Sequence, residues 1–155
     1  MKLYLVQHGD ALSKDADPER PLSAKGRADA AKMAAFLKSA GVSVDEVVHS
    51  GKTRAAQTAA LLAETVWPGQ KPLKMDGLAP NDSTDHLCHA AEAAGGDVMA
   101  VGHLPFMGRI AARCLSGSED GASVAFEPGA VVCLERLEGG WQLNWMLRPS
   151  MLPKV

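Results

Sequence analysis

The chain has little of what marks secreted, membrane or nucleic-acid-binding proteins. Its three cysteines, Cys88, Cys114 and Cys133, are odd in number and widely spaced, which suits reduced thiols in a cytoplasmic compartment better than a disulfide framework. The apolar stretch 3–6 is too short for a signal peptide or a membrane span. A formal net charge of -2 gives no general attraction for nucleic acid or anionic lipid. We therefore predict neither nucleic-acid nor membrane partners, and any anion site must be local.

The length and composition predict one domain. A chain of 155 residues with 46% hydrophobic content can enclose one core but hardly two. No internal repeat, low-complexity block or long linker interrupts it. We therefore expect a single domain over residues 1–155.

Short apolar strands alternate with helical patterns along the chain. Strands are predicted at 2–6, 44–49, 97–102, 131–137 and 141–147, and the last two form a hairpin at the edge of the sheet. Helices are predicted at 24–40, at 53–66, after residue 85 and from residue 105. The fold class is therefore α/β, a three-layer sandwich with a mostly parallel central sheet flanked by helices.

Three turns that follow predicted strands carry the chemistry. They are QHGD at 7–10, SGKTRAAQT at 50–58 and GHLP at 102–105. An open parallel sheet places its ligand site beyond the carboxyl ends of its strands, so these turns are expected to meet. A neutral imidazole is nucleophilic near pH 7, and a guanidinium forms paired hydrogen bonds to phosphate oxygens. His8, Arg54 and His103 together therefore favour phosphoryl transfer.

These motifs, in this order, resemble the histidine phosphatase superfamily. Within it, the block RPLSAKG at 20–26 and the small size without an inserted lid are similar to the SixA group of bacterial phosphohistidine phosphatases. The resemblance covers nearly the whole chain and implies a phosphoglycerate mutase-like fold. It also implies a phosphatase, a hydrolase that needs neither metal nor cofactor. Its substrate would be a phosphohistidine-bearing protein or a small phosphorylated molecule, whereas the oligomeric state is left open.

The resemblance also implies a role for each site residue. His8 would become phosphohistidine, and Arg54 and His103 would hold the transferred phosphoryl group as catalytic and phosphate-binding residues. Arg20 would add a second guanidinium. Gly9 would keep the backbone close to the phosphate, and Gln7 would complete the phosphate-binding set.

Gln7 is the main departure from the family pattern, which has arginine at this position. Glutamine donates only neutral hydrogen bonds, and loss of one transition-state donor typically costs about 10²–10³ in rate. The alternative function is therefore a catalytically weakened module that binds phosphate or a phosphoprotein. The family's general acid also lacks a clear counterpart, because the loop at 77–85 offers only Asp82 and Asp85.

Several features are better explained by structure than by function. Asp10 is as consistent with a turn as with a catalytic role. His86, Cys88 and His89 provide too few well-spaced ligands for a zinc site, so we predict no metal. Trp141 and Trp145 are expected to pack on one face of the last strand.

Overall fold

The computed structural model describes residues 1–155 and contains six strands and four longer helices. In chain order the elements are β1 (Lys2–Gln7), α1 (Ala24–Ser39), β2 (Glu46–His49), α2 (Thr53–Val66), β3 (Leu73–Lys74), α3 (Asp85–Ala93), β4 (Val98–Gly102), α4 (Phe106–Ser116), β5 (Val131–Leu137) and β6 (Gly140–Leu147). A 3₁₀ turn at Pro149–Met151 follows β6. No helix is both long and apolar enough to span a lipid bilayer.

All six strands form one sheet in the order β3-β2-β4-β1-β5-β6. Strands β1 to β4 pair in parallel, whereas β5 pairs antiparallel with both β1 and β6. Because β2, β4 and β1 are neighbours that run in the same direction, their carboxyl ends meet at one edge of the sheet. The chain segments that follow these three strands therefore lie side by side.

Two hydrophobic cores cover the two faces of the sheet, because residues alternate between faces along each strand. Leu3 and Leu5 of β1 belong to the core that is shared with α3 and α4. Tyr4 and Val6 belong to the core that is shared with α1 and α2. The result is three layers, helix on sheet on helix, and the predicted fold class is confirmed.

Two details of the sheet differ from the sequence predictions. Strand β3 was not predicted, because its two residues are exposed and leave no apolar pattern. Trp141 and Trp145 also lie on opposite faces rather than on one. A register shift between Cys133 and Leu134 interrupts the alternation, so that Trp141 packs against the α3–α4 core and Trp145 against the α1–α2 core.

Candidate active site

The three predicted turns converge at the carboxyl edge of the sheet. His8 follows β1, His103 follows β4, and Arg54 lies in the first turn of α2, after β2. The His8 and His103 ring centroids are 4.9 Å apart. The Arg54 Nε–H donates to His8 Nε2 at 3.3 Å. Two imidazoles and a guanidinium are thus close enough to contact one small tetrahedral group.

A backbone contact fixes the tautomer of His8. Its Nδ1 lies 2.7 Å from the Gly9 carbonyl oxygen, which can only accept a hydrogen bond. The proton of the neutral ring therefore resides on Nδ1, and the lone pair lies on Nε2, the nitrogen that faces Arg54. Burial lowers the pKa of His8 below its ordinary value, the Gly9 contact opposes this, and the charges of Arg54 and Arg20 lower it further. The ring is accordingly neutral and nucleophilic at neutral pH.

His103 is the more buried of the two histidines, with 2% of its surface exposed. Its Nε2 shares a 2.7 Å hydrogen bond with the Ser50 hydroxyl, and its Nδ1 is buried without a partner. Burial lowers the pKa of His103 to about 3, and the nearby His8 and Arg54 lower it in the same direction. His103 is therefore a neutral ring at neutral pH.

Arg20 and Arg54 bring two positive charges to the same place. Burial lowers the pKa of the Arg54 guanidinium, and the charge of Arg20 lowers it further. Arg20 has the unusual backbone angle φ 48°, and its Nε–H donates to the Leu12 carbonyl oxygen at 3.0 Å. An anion between two guanidinium groups would relieve their repulsion, so this pair favours phosphate.

Gln7 and Gly9 flank His8 in different ways. Gln7 is the last residue of β1, is 9% exposed, and has a buried Oε1 without a hydrogen-bond partner. Gly9 is buried, and its N–H donates to the Thr58 hydroxyl at 3.0 Å. A Cβ at Gly9 would lie 3.1 Å from Leu22 Cδ2 and 3.2 Å from the Gly26 carbonyl oxygen. Close packing of the backbone, and not only approach to a ligand, thus favours glycine here.

Sequence reasoning missed the side chains that hold this loop on α2. The Thr58 hydroxyl, which accepts from Gly9, donates to the Arg54 carbonyl oxygen at 2.8 Å. Gln57 Oε1 accepts the Leu22 N–H at 2.8 Å. The RAAQT segment contained a signal for these contacts. Gln57 and Thr58 lie three and four residues after Arg54, so they share its face of the helix.

The RPLSAKG segment folds back on the loop after β1. Ser23 is the N-cap of α1, where its hydroxyl accepts the Gly26 N–H at 3.0 Å and donates to the Asp10 carboxylate at 2.5 Å. A side chain at Gly26 would collide with the Asp10 carbonyl oxygen. Asp10 therefore has structural contacts in this turn, as the predicted turn role requires.

The carboxylates suggested by the loop at 77–85 make other contacts. Asp82 Oδ2 accepts the Ala79 N–H at 2.9 Å, and Asp85 forms a 2.6 Å ion pair with Arg113 of α4. Neither carboxylate bonds to His8, Arg54 or His103. Sequence reasoning did not single out Glu19, which directly precedes Arg20 in the chain. The Glu19 carboxylate accepts from the Thr53 hydroxyl at 3.5 Å.

An open groove of about 410 Å³ adjoins the candidate centre and includes Arg20 and Arg54. Its remaining lining residues are Lys14, Pro18, Glu19, Gly51, Lys52 and Thr53. The turn at Gly51 has φ +91°, a backbone conformation that favours glycine, and it forms part of the groove wall. No three histidine, cysteine or acidic side chains are grouped as metal ligands would be.

Comparison with known proteins agrees with this geometry. Residues 3–79 match the family model of the histidine phosphatase superfamily (branch 1). The chain therefore belongs to the histidine phosphatase superfamily and is a phosphatase.

Particular relatives span most of the chain. Phosphohistidine phosphatase SixA of Escherichia coli K12 is 25% identical over 158 residues, which cover 98% of this chain and 96% of the relative. An uncharacterised protein of a Picosynechococcus species is 32% identical over 115 residues, which cover 70% of this chain and 69% of the relative. The structure of the protein histidine phosphatase SixA complexed with tungstate superposes with a TM-score of 0.81 and 25% identity, covering 97% of this chain and 98% of that one.

Proposed function

We propose that this phosphatase hydrolyses phosphohistidine, the substrate class given in the name of its relative SixA, with His8 as the nucleophile. The observation that carries the proposal is the His8 Nε2 lone pair, which faces the Arg54 guanidinium at 3.3 Å beside the ring of His103. The similarity to SixA along nearly the whole chain supports the same substrate class. Tungstate in the SixA structure is a tetrahedral oxyanion, as phosphate is.

In the first step, the His8 Nε2 lone pair attacks the phosphorus atom of the substrate. The P–N bond to the substrate imidazole breaks, and the electron pair leaves with that imidazole, which takes up a proton from the solvent. Arg54 turns its N–H groups from His8 to the phosphoryl oxygens, where Arg20 joins it. Fixed positive charge at these oxygens stabilises the transition state.

In the second step, water attacks the phosphorus atom of phospho-His8. The P–Nε2 bond breaks, inorganic phosphate leaves, and the lone pair returns to His8. The Nδ1 proton stays with the Gly9 carbonyl oxygen throughout, so that the ring keeps one orientation in both steps. His103 and Gln7 contribute neutral hydrogen bonds to the phosphoryl group.

A phosphoramidate substrate is consistent with the positions of Asp82 and Asp85, the two carboxylates of the loop at 77–85. Asp82 and Asp85 are bonded elsewhere, so neither is placed to protonate an alkoxide leaving group. An imidazole leaving group departs in protonated form more readily than an alkoxide does. The open groove also suits a phosphohistidine carried on a protein surface better than a buried small molecule.

We also propose a cytoplasmic location and a single domain over residues 1–155. Cys88, Cys114 and Cys133 are all free thiols, as expected in a reducing compartment. Burial raises the pKa of Cys114 to about 12, which keeps this thiol protonated and unreactive. The single sheet, with a core on each face, supports one folding unit.

A second candidate function is a module that binds a phosphorylated partner with little turnover. Gln7 is the observation that favours it, because a buried neutral amide stands where the family has a guanidinium. Its amide nitrogen can donate a neutral hydrogen bond to a phosphate oxygen but brings no positive charge to the transition state.

Brief incubation with ³²P-phosphohistidine protein distinguishes the two functions. The enzyme is expected to release inorganic phosphate and to carry a label that is stable in alkali and lost in acid, and His8→Ala abolishes both. His89→Ala, at an exposed histidine of α3, is the matched control. Label that persists in folded His8→Ala contradicts the proposal. Tight binding of the substrate without label or release favours the binding module.

A further inference from the structure

The groove beside the candidate centre is strongly cationic, and we call it the cationic groove. Four of its eight lining residues carry positive charge, one carries negative charge, and none is hydrophobic. The positive residues are Lys14, Arg20, Lys52 and Arg54. The whole chain has a formal net charge of -2, so this concentration of positive charge is local. A local field of this kind attracts anions to one place on the surface.

The cations of the groove are not neutralised within the protein. The four ion pairs of the chain involve Lys25, Lys32, Arg109 and Arg113, and none involves a cation of the groove. Glu19 contacts the Thr53 hydroxyl rather than a lysine or an arginine. The positive charges of the groove are therefore free to pair with a ligand.

One phosphoryl group does not use all of this charge. In the proposed function, Arg20 and Arg54 hold the transferred group, which leaves Lys14 and Lys52 without a role. Both lysines are exposed, and Lys52 is close enough to the centre to lower the pKa of His103 through its charge. A substrate that engages these two lysines must carry negative charge beyond its phosphoryl group.

The lining indicates what form that charge takes. Without hydrophobic residues, the groove offers little apolar surface on which an acyl chain would pack. The groove has a volume of about 410 Å³, more than the roughly 300 Å³ that ten water molecules occupy at about 30 Å³ each. It therefore has room for side chains next to a phosphohistidine. Carboxylates on a short peptide segment meet both conditions.

We propose that the cationic groove recognises acidic residues next to the phosphohistidine of a protein substrate, through Lys14 and Lys52. This inference rests on the proposed function, because it takes the phosphoryl group to lie between Arg20 and Arg54. The two lysines are specificity-determining residues that bind the substrate and take no part in the chemical steps.

The test compares substrates that differ only beside the phosphohistidine. Two peptides carry phosphohistidine with either glutamate or glutamine at the flanking positions, and inorganic phosphoramidate reports on the centre alone. We expect the wild-type protein to prefer the acidic peptide. The double variant Lys14→Gln/Lys52→Gln is expected to lose roughly five- to tenfold in kcat/KM on that peptide, mainly through KM, because each exposed ion pair contributes modestly. Turnover of the neutral peptide and of phosphoramidate should fall by at most roughly twofold, because neither substrate places a carboxylate beside the two lysines.

Two further variants test whether charge is responsible. Lys38→Gln/Lys71→Gln removes two exposed lysines outside the groove and should have no effect on any substrate. Glu19→Gln removes the one negative charge of the groove and should raise kcat/KM on the acidic peptide by roughly two- to threefold. A preference that persists in the Lys14/Lys52 variant, or that disappears equally in the Lys38/Lys71 variant, overturns the inference.

Direct binding separates failure of the inference from failure of the proposed function. Peptides with a non-hydrolysable phosphonate analogue of phosphohistidine are titrated by fluorescence anisotropy, with methylenediphosphonate as a small competitor with two anionic groups. If no substrate is turned over, the proposed function fails, but a lysine-dependent preference for the acidic analogue still supports the groove. If phosphoramidate is hydrolysed and both analogues bind equally, the groove inference fails alone. Lysine dependence confined to methylenediphosphonate also overturns it, in favour of a small substrate with two phosphates.

Discussion

The histidine–arginine centre and the cationic groove lie next to each other but are held in different ways. His103 is 2% exposed and bonded to Ser50, whereas Lys14 and Lys52 are exposed and form no ion pair. The centre depends on position, because a nucleophile and its donors act only within a narrow geometry. The groove depends on charge, which acts over longer distances and tolerates mobile side chains. Substitutions in the centre should therefore affect all substrates alike, whereas substitutions of the groove lysines should affect mainly acidic substrates.

Arg54 offers the largest expected effect. Arg54→Ala removes the guanidinium that contacts His8, and kcat should fall by about 10²–10³ on phosphoramidate and peptide substrates alike. Arg27→Ala, at an exposed arginine of α1, is the control. Steady-state kinetics of the folded variants makes the comparison. A loss limited to acidic substrates would instead place Arg54 with the groove lysines.

Gly26 tests the packing that holds the loop carrying His8. Gly26→Ala places a methyl group against the Asp10 carbonyl oxygen, and the free energy of unfolding should fall by about 2 kcal/mol. Gly95→Ala is the matched control, because nothing lies within 4 Å of a Cβ at that position. Urea denaturation followed by circular dichroism measures both. Equal stability of the two variants would mean that the loop shifts without cost.

Gln7 tests whether the centre lacks a charge. Gln7→Arg restores the family's guanidinium, and turnover of phosphoramidate should rise by about tenfold, part of the 10²–10³ that a lost donor typically costs. The gain should be the same for neutral and acidic peptides, because the change lies in the centre and not in the groove. Gln70→Arg, in the loop after α2, controls for added charge. An unchanged or lower rate in a folded variant counts against this reading.

A further expected effect, on stability and not on rate, is the acid sensitivity that His103 confers. Its pKa is lowered to about 3 in the folded protein, whereas the ordinary value is 6.5. The unfolded chain thus binds more protons between these values, and the free energy of unfolding should fall as pH falls from about 6.5 to about 3. His103→Gln should flatten this fall relative to the wild-type protein. Urea titrations at pH 7 and pH 5 measure the difference.

Regular elements were predictable where packing repeats along the chain. Helix α2 and strand β5 have their predicted limits, because α2 has a helical apolar period and β5 begins with a continuous apolar run. Strand β3 has two exposed residues and no period. The bulge that separates Trp141 from Trp145 depends on how β6 pairs with β5, which a pattern within β6 does not contain.

The site was predictable to the extent that strand ends meet at one edge. His8, Arg54 and His103 follow three neighbouring parallel strands, so their convergence follows from the fold class. Their catalytic roles remain predictions. The contacts of Gln57 and Thr58 join segments far apart in the chain, as do the lysines of the cationic groove. Such proximity depends on loop paths, which local sequence patterns do not encode.

The bond between His8 Nδ1 and the Gly9 carbonyl oxygen has a regiochemical consequence. A phosphoryl group carried by this imidazole would be attached to the nitrogen remote from the backbone, because the nearer nitrogen holds the proton. The covalent intermediate would therefore be one of the two positional isomers of phosphohistidine and not a mixture. The two isomers have distinct ³¹P chemical shifts, so a single resonance would be the spectroscopic signature of this tautomer.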